Sequence, residues 1–496
     1  MVSHGRQKKD AAPKQRKPKK GKNNEDNDID GDIHDMELPD DFSIAGGSSV
    51  YSEANSFNDF EEGDQEDENN DDEISRSEVR QAKLLDSLSL TSTLSSEKRS
   101  AKREAAYKVI FRSVTQYADG KGGREILESS GWESLSEACM SSLRGGSGNA
   151  SPAEQYAACR VLEACCVVLG EDRDDVVENW NDPLKKVVNA TGRATQVRCA
   201  ALRCLAMMHF ICGTDCLEDG EDCSAVMELC EKVGAERFRG EKVSPLLRSA
   251  ALDSWALLAT TFHDARIAAG DADDDAMDLG RGLTLLPLLA SCLESPDVGL
   301  RSSAGECVAY IHECRLNLGL NEDEAENTTE RRFRRGSWDG TEWEVLMDEV
   351  KQRIAELSVE SGHHMSKKTK KEQRATFRDY MSTIVDDESP TEEVNFRGGK
   401  LKLKSWKEII QLNFVRHCLQ GGFQVQLMTN ETLHDIFGAV LSSSAGMSQL
   451  EKRLFLSKQS GASKAADKAM TKQRRTRTNV KNHFLTADGD DTHGLL

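Results

Sequence analysis

The sequence predicts a mainly α protein: a stack of helical repeats followed by a small α+β C-terminal module, with a disordered leader before the stack and a basic tail after the module. Three observations lead there. A short small-residue pattern recurs at a roughly fixed interval through the middle of the chain. Pro is scarce, with 9 residues in 496, and aromatics make up only 5%, whereas Ala, Leu, Ser and Cys crowd the repeats. The charge is segregated into blocks. The formal net charge is −20, but the stretch from Asn23 to Ser75 holds 20 Asp and Glu and no Lys or Arg, and outside it 65 acidic residues face 65 basic ones. An acidic tract on a nearly neutral body says more about partners than the whole-chain charge does.

Residues 1–75 form the leader. Nine basic side chains lie in residues 1–22, and the acidic tract follows. Neither block buries enough apolar surface to offset the entropy of ordering, so disorder is expected. DNDIDGDIHDME (Asp26–Glu37) fits the calcium-loop template. The helices that must flank such a loop are missing: KPKKGKNNE precedes it and Leu38-Pro39 follows. We read it as a chance match in an Asp-rich tract. The basic start has no apolar core after it and is not read as a secretory signal. No apolar run reaches the length of a membrane span. Fourteen Cys without such a signal point to free thiols in a reducing compartment.

Residues 77–320 carry the repeats. VRCAALRCLAMM (Val197–Met208), LRSAALDSWALL (Leu247–Leu258) and LRSSAGECVAYI (Leu300–Ile311) align residue by residue. KREAAYKVIFRS (Lys102–Ser113) and EQYAACRVLEAC (Glu154–Cys165) are weaker copies. The five starts are separated by 52, 43, 50 and 53 residues, which suits armadillo/HEAT-like units of roughly 40–47 residues with added loop. Small residues let neighbouring helices approach, and apolar positions at helical spacing face a shared core. Arg103, Arg198, Arg248 and Arg301 recur at one position and are expected to form inter-repeat hydrogen bonds rather than ligand contacts. His209, Cys212, Cys216, Cys223 and Cys230 cluster in sequence, but their spacing matches no paired zinc signature, so no metal is expected. Cys199, Cys204, Cys292 and Cys307 read as small apolar residues of repeat helices.

A polar loop is expected over 321–340, where Arg331, Arg332, Arg334 and Arg335 surround a loop read as solvated. A helix and a basic linker occupy 341–371, with Trp343, Leu346, Met347, Val350, Ile354 and Leu357 on one side of the helix. The module spans 372–457. QRATFRDYMSTIV reads as helix, VNFRGGKLKLKSW as a hairpin about Gly398-Gly399, and Trp406 to Cys418 as a helix stopping at Gly421-Gly422. FQVQL alternates and reads as a strand, TLHDIFGAVL as a helix, and Ser448 with Glu451 as a capping box.

The tail, 458–496, holds eight basic side chains between Lys458 and Lys481 against one acid, Asp467. As a helix it would align Lys464, Lys468, Lys472 and Arg475 in one stripe. No aromatic residue lies between Lys458 and His483, so phosphates rather than bases are the expected contacts. Lys464, Lys468, Lys472, Arg474, Arg475, Arg477 and Lys481 are the candidate RNA-binding residues. A second patch, Lys367, Lys368, Lys370, Lys371 and Arg374, extends the footprint or is a solvated linker. Nothing suggests catalysis or a cofactor: ADGKGGREI lacks the Gly-Lys-Ser/Thr ending of a phosphate loop, and there is no HExxH or nucleophile elbow.

Several of these stretches resemble the interferon-related developmental regulator family. KKEQRATFRDYMSTIVDDESPTEEVNFRGGKLKLKSWKEI and FQVQLMTNETLHDIFG are similar to that family's C-terminal domain. LSSEKRSAKREAAYKVI and SPDVGLRSSAGECVAYIHE resemble its armadillo-like domain, and SIAGGSSVYSEANSFNDFEEGD its leader. The likeness runs over about residues 40–485; the extended Asp-rich leader, the insert around 321–340 and the tail beyond Phe484 depart from it. The resemblance implies two roles. One is association with the ribosome and ribosomal RNA in a translationally inactive state, the basic C-terminal segment entering an RNA-lined channel. The other is transcriptional co-regulation in the nucleus through corepressor complexes held on the solenoid. Cytoplasm and nucleus are the compartments these roles imply.

Overall fold

The computed structural model describes residues 70–118, 120–144, 150–213, 220–268, 280–319, 340–359, 367–396 and 399–438. The acidic tract before Asn70, the loop 321–339, the Ser448–Glu451 capping box and the basic tail lie outside them. The architecture is a mainly α solenoid with few strands. α1 (Asn70–Ser89) and α2 (Thr91–Ser96) open the described fold. α1 starts inside the segment assigned to the leader.

The five repeat sequences become five inner helices: α3 (Ser100–Tyr117), α6 (Pro152–Leu169), α8 (Thr195–Ile211), α10 (Pro245–Ala259) and α13 (Val298–Asn317). Each packs on the next. Three of them start on a side-chain cap: Ser151 accepts from Glu154 N, Ser244 from Leu247 N and Asp297 from Leu300 N. Pro152 and Pro245 occupy the first helical position after two of these caps, where a missing N–H costs nothing.

Between them run α4 (Gly120–Ser130), α5 (Trp132–Arg144), α7 (Asp174–Asn189), α9 (Glu221–Gly234), α11 (Asp264–Ala268) and α12 (Arg281–Leu293). α7 shows the one-sided pattern of a covering helix. Val176, Val177, Trp180, Leu184, Val187 and Val188 are buried, and Trp180 Nε1 donates to Ser136 Oγ at 3.0 Å. The inner helices differ. Every residue from Val197 to His209 of α8 and from Ser249 to Ala259 of α10 is buried. A helix buried all round needs cover on both sides, and outer helices supply only one.

The recurrent arginines are structural, with a different geometry from the one expected. Arg198 Nε donates to Val188 O (2.9 Å), Arg248 Nε to Gly234 O (2.8 Å) and Arg301 Nη1 to Ser295 O (2.8 Å). Arg198 and Arg248 thus reach the carbonyl end of the preceding outer helix, where a cation suits the helix dipole, and Arg301 reaches the loop just past α12. Two contacts cross repeats: Arg103 with the Glu154 carboxylate at 2.8 Å, and Arg248 Nη2 with Cys292 Sγ at 3.1 Å.

A small hairpin, β1 (Arg237–Phe238) with β2 (Glu241–Lys242), joins α9 to α10 and was not foreseen. Its two-residue loop, Arg239-Gly240, has φ of 51° and 84°, the conformation of a tight primed turn.

The C-terminal part contains α14 (Gly340–Val359), α15 (Lys367–Asp386), β3 (Glu392–Phe396), β4 (Gly399–Leu403), α16 (Trp406–Leu419), α17 (Phe423–Thr429) and α18 (Glu431–Phe437). The β3–β4 hairpin expected here is present and antiparallel, but Gly399 pairs with Phe396 as the first residue of β4, so the turn falls one residue earlier than Gly398-Gly399. FQVQL is a correction: it lies in helix α17, not in a strand. Its alternation hid the helix because Gln426, a polar residue at an inward position, is fully buried. α15 reaches α13 closely at Gly305, where a Cβ would stand 2.6 Å from the Tyr380 ring.

Candidate functional site

α16 lies across the inner helices, packing on α6, α10 and α13 and meeting α8 through Arg203. Its buried residues include Ile409, Ile410, Leu412, Phe414, Val415 and Cys418. Two of its polar residues, Gln411 and Asn413, are buried with them.

The polar contacts beneath α16 form a seam. At its N-terminus the Glu313 carboxylate, from α13, accepts hydrogen bonds from Trp406 N (2.8 Å) and Lys407 N (3.2 Å). Ser405 Oγ accepts from Glu408 N at 3.2 Å. In the middle Gln411 Nε2 donates to Thr260 Oγ1, at the end of α10, at 3.0 Å. At the C-terminus Arg160 Nη2, from α6, donates to His417 O (2.6 Å) and Cys418 O (2.9 Å). Arg203 Nη1, from α8, is 3.2 Å from His417 Nε2. The orphan amides at one end of α16 meet an anion, and its orphan carbonyls meet a cation.

The seam continues past α16. Gln426 Nε2 donates to Thr115 O (3.2 Å) and Ala118 O (2.7 Å) at the end of α3. Asn430 Nδ2 donates to Val167 O of α6 at 2.9 Å, and its Oδ1 caps α18 at Leu433 N. Every inner helix therefore gives at least one polar contact to the C-terminal segment. Gly422 sits where a Cβ would stand 2.4 Å from the Thr115 carbonyl group, so glycine alone permits the approach.

Electrostatics sharpen the picture. Arg160 also pairs with Glu163, and both are almost fully buried. Burial pushes the Glu163 carboxyl up against the pull of Arg160 and Arg203. Arg203 Nη2 is 3.6 Å from Asp253, which accepts from Ser303 Oγ at 2.6 Å. Burial, with Arg203 and Arg160 adding to it, holds the His417 imidazole well below its ordinary range. His417 is thus neutral, and its Nε2 serves as an acceptor for Arg203. Burial pushes the Glu313 carboxyl up to about 7, although both backbone donors favour its charge. Nearby Asp264 and Glu408 raise it further.

Such an arrangement binds a segment of the chain. Burial drives the Cys418 thiol well above its ordinary range, which works against thiolate formation. His209 faces Asn181 Oδ1 at 3.3 Å, Cys216 lies outside the described residues, and among those described no three His, Cys, Asp or Glu are placed to hold a metal ion. Among the described residues no helix is long and apolar enough to cross a membrane.

The sequence-derived RNA candidates fare unevenly. Lys464, Lys468, Lys472, Arg474, Arg475, Arg477 and Lys481 lie outside the described residues. Lys367, Lys368, Lys370, Lys371 and Arg374 fall in the first turns of helix α15, and Arg374 is half-buried. Sequence reasoning missed the seam. Its available signal was polar residues at inward repeat positions, Arg160 and Glu163 in EQYAACRVLEAC, and Gln411 among the apolar residues of α16.

Comparisons with known proteins point to one family. The model of the interferon-related developmental regulator family matches residues 47–385, ending within α15. Interferon-related developmental regulator 1 of Mus musculus is 25% identical over 345 residues, 66% of this chain and 68% of the relative. The Homo sapiens protein of that name is 24% identical over 349 residues, 67% and 69% of the two chains. Interferon-related developmental regulator 2 of Mus musculus is 26% identical over 361 residues, 70% and 73%. With a family model spanning most of its length, this chain belongs to the interferon-related developmental regulator family.

Proposed function

We propose that the protein is a non-enzymatic regulator of gene expression that binds translationally inactive ribosomes, its basic segment contacting RNA phosphates and its solenoid acting as a scaffold. The observation that carries this reading is the tail: eight basic residues between Lys458 and Lys481 against a single acid. Family membership supports the regulatory role. The seam supports a division of labour. The inner helices already carry the chain's own C-terminal segment, α16 and α17, so partners are left the outer helices and the segments beyond Phe437. Asn430 anchors the start of α18 to α6.

Sedimentation of lysate through a sucrose gradient tests the assignment. The full chain should co-migrate with ribosomes, and a chain ending before Ser460 should not. Co-migration that survives truncation unchanged would remove the tail from the mechanism. On single-stranded RNA, log K should fall against log salt with a slope of roughly −5 to −6 if all eight basic groups engage.

A second reading, a nuclear co-regulator bridging corepressor complexes, draws on the acidic Ser-rich leader and the basic runs Lys14–Lys22 and Lys472–Arg477. Nuclear retention without ribosomal co-migration favours it.

A further inference from the structure

The β3–β4 hairpin has two unlike faces. Val394, Phe396, Leu401 and Leu403 are buried against the body. The alternate positions of β4, Lys400 and Lys402, are exposed, and Lys404 just beyond the strand and Lys407 in the first turn of α16 are exposed as well. Alternate residues of a strand lie about 6.7 Å apart, a spacing of the same order as that of successive phosphates along an extended nucleic-acid strand. The hairpin is held in place: Arg416 of α16 bonds Glu392 of β3 at 2.6 Å, with both side chains mostly buried. The lysines therefore stand on a preformed support.

Among the described residues one carboxylate pairs with the ammonium groups of Lys400 and Lys402, and the Glu408 carboxylate accepts from Lys404 N at 2.7 Å. Glu393 is the cross-strand partner of Lys402, its oxygens 3.0 Å from Lys402 Nζ and 3.9 Å from Lys400 Nζ. Glu393 is about half exposed and the two lysines more so, so these pairs are weak and exchange readily for another anion. The nearby aromatic side chains, Phe396 and Trp406, are buried. The face therefore offers charge without a stacking platform, which suits a sugar–phosphate backbone and not bases.

We propose that Lys400, Lys402 and Lys404, with Lys407, form a second RNA-backbone contact, built on the folded body and separate from the tail. This rests on the reading that the protein binds RNA. Lysines on an exposed strand also discourage edge-to-edge pairing. That role predicts no effect of Glu393 on RNA affinity, whereas a phosphate contact does, because Glu393 competes with the phosphate for Lys402. A preformed strand also loses less conformational freedom on binding than a segment that must order.

The test is fluorescence anisotropy of a labelled single-stranded RNA of mixed sequence, titrated at several salt concentrations. The full chain is compared with K400Q/K402Q/K404Q, with E393Q and with the chain ending before Ser460. The triple variant should bind more weakly, its slope of log K against log salt shallower by about 2. E393Q should bind about twofold to fivefold more tightly at low salt, the scale of one exposed ion pair. Thermal unfolding of both variants should match the parent, since the altered side chains are exposed. If the triple variant keeps the parental slope while tail truncation weakens binding, the hairpin is not a contact and the RNA reading stands. If the full chain does not bind RNA, both fail.

Discussion

The two ends of α16 are held by opposite charges and by opposite kinds of chemistry. At the C-terminal end a guanidinium, Arg160, grips two carbonyls and is balanced by buried Glu163. At the N-terminal end a lone carboxyl, Glu313, is held by two backbone amides, with acidic Asp264 and Glu408 as neighbours. A guanidinium keeps its charge at any physiological pH; a buried carboxyl poised near neutrality does not. One helix is thus fixed at one end and titratable at the other. Complementing a helix dipole does not by itself decide how robust an anchor is; the partner's own balance decides it.

Breaking the Arg160 end should have the largest effect. Arg160→Ala removes the donor for His417 O and Cys418 O and leaves Glu163 without its principal partner in a dry site. Loss of one member of a buried pair costs on the order of 3–5 kcal/mol. Urea unfolding at pH 7 reads it as a lower midpoint. Arg160→Lys should recover only part, because one ammonium cannot reproduce a planar fork reaching Glu163 and two carbonyls together. Full recovery by lysine would mean that charge, not geometry, secures this end.

The Glu313 end should instead show itself through pH. Its folded-state pKa, about 7, lies above the ordinary value of 4.5. The folded chain therefore holds a proton that the unfolded chain releases between these values. Its contribution to stability is fully present below about pH 4.5 and is lost as pH rises through 7. The full shift corresponds to about 3 kcal/mol. Glu313→Gln should flatten this part of the profile, so the stability difference between parent and variant changes by that order from pH 5 to pH 8. A difference independent of pH would show that the two amides keep the carboxylate charged throughout.

How much of this was legible beforehand differs between the same regions. The five inner helices were readable because small and apolar residues recur in register. The β3–β4 hairpin was readable from Gly398-Gly399 and the alternation in KLKLK. The seam was not, because its partners are remote: Arg160 meets His417, and Thr115 meets Gln426. FQVQL was misread because five alternating residues fit a strand as well as a helix, and only contact with α3 makes Gln426 an inward residue. The recurrent arginines were rightly taken as structural, but three of them, Arg198, Arg248 and Arg301, bond carbonyls, which carry no side-chain signature. The RNA candidates on the tail rest on charge pattern and family, since the described fold ends before them.

The smallest expected effect sharpens the comparison most directly. Ser405 caps α16 through Glu408 N, beside the amides that Glu313 takes. An N-cap serine replaced by alanine usually costs about 1 kcal/mol. Here the helix terminus is already neutralised by Glu313, so Ser405→Ala should fall toward the lower end, about 0.5 kcal/mol at pH 8. In the Glu313→Ala background the first-turn amides lose their main acceptor, and the same serine substitution should cost more. A double-mutant cycle by urea unfolding measures the difference. A positive coupling at pH 8 that shrinks at pH 5, where Glu313 is largely protonated, would tie the cap to the charge on that carboxyl. Strict additivity at both pH values would mean that the two acceptors serve separate amides independently, and that the N-terminal end of α16 is held by two local contacts rather than by one shared anion.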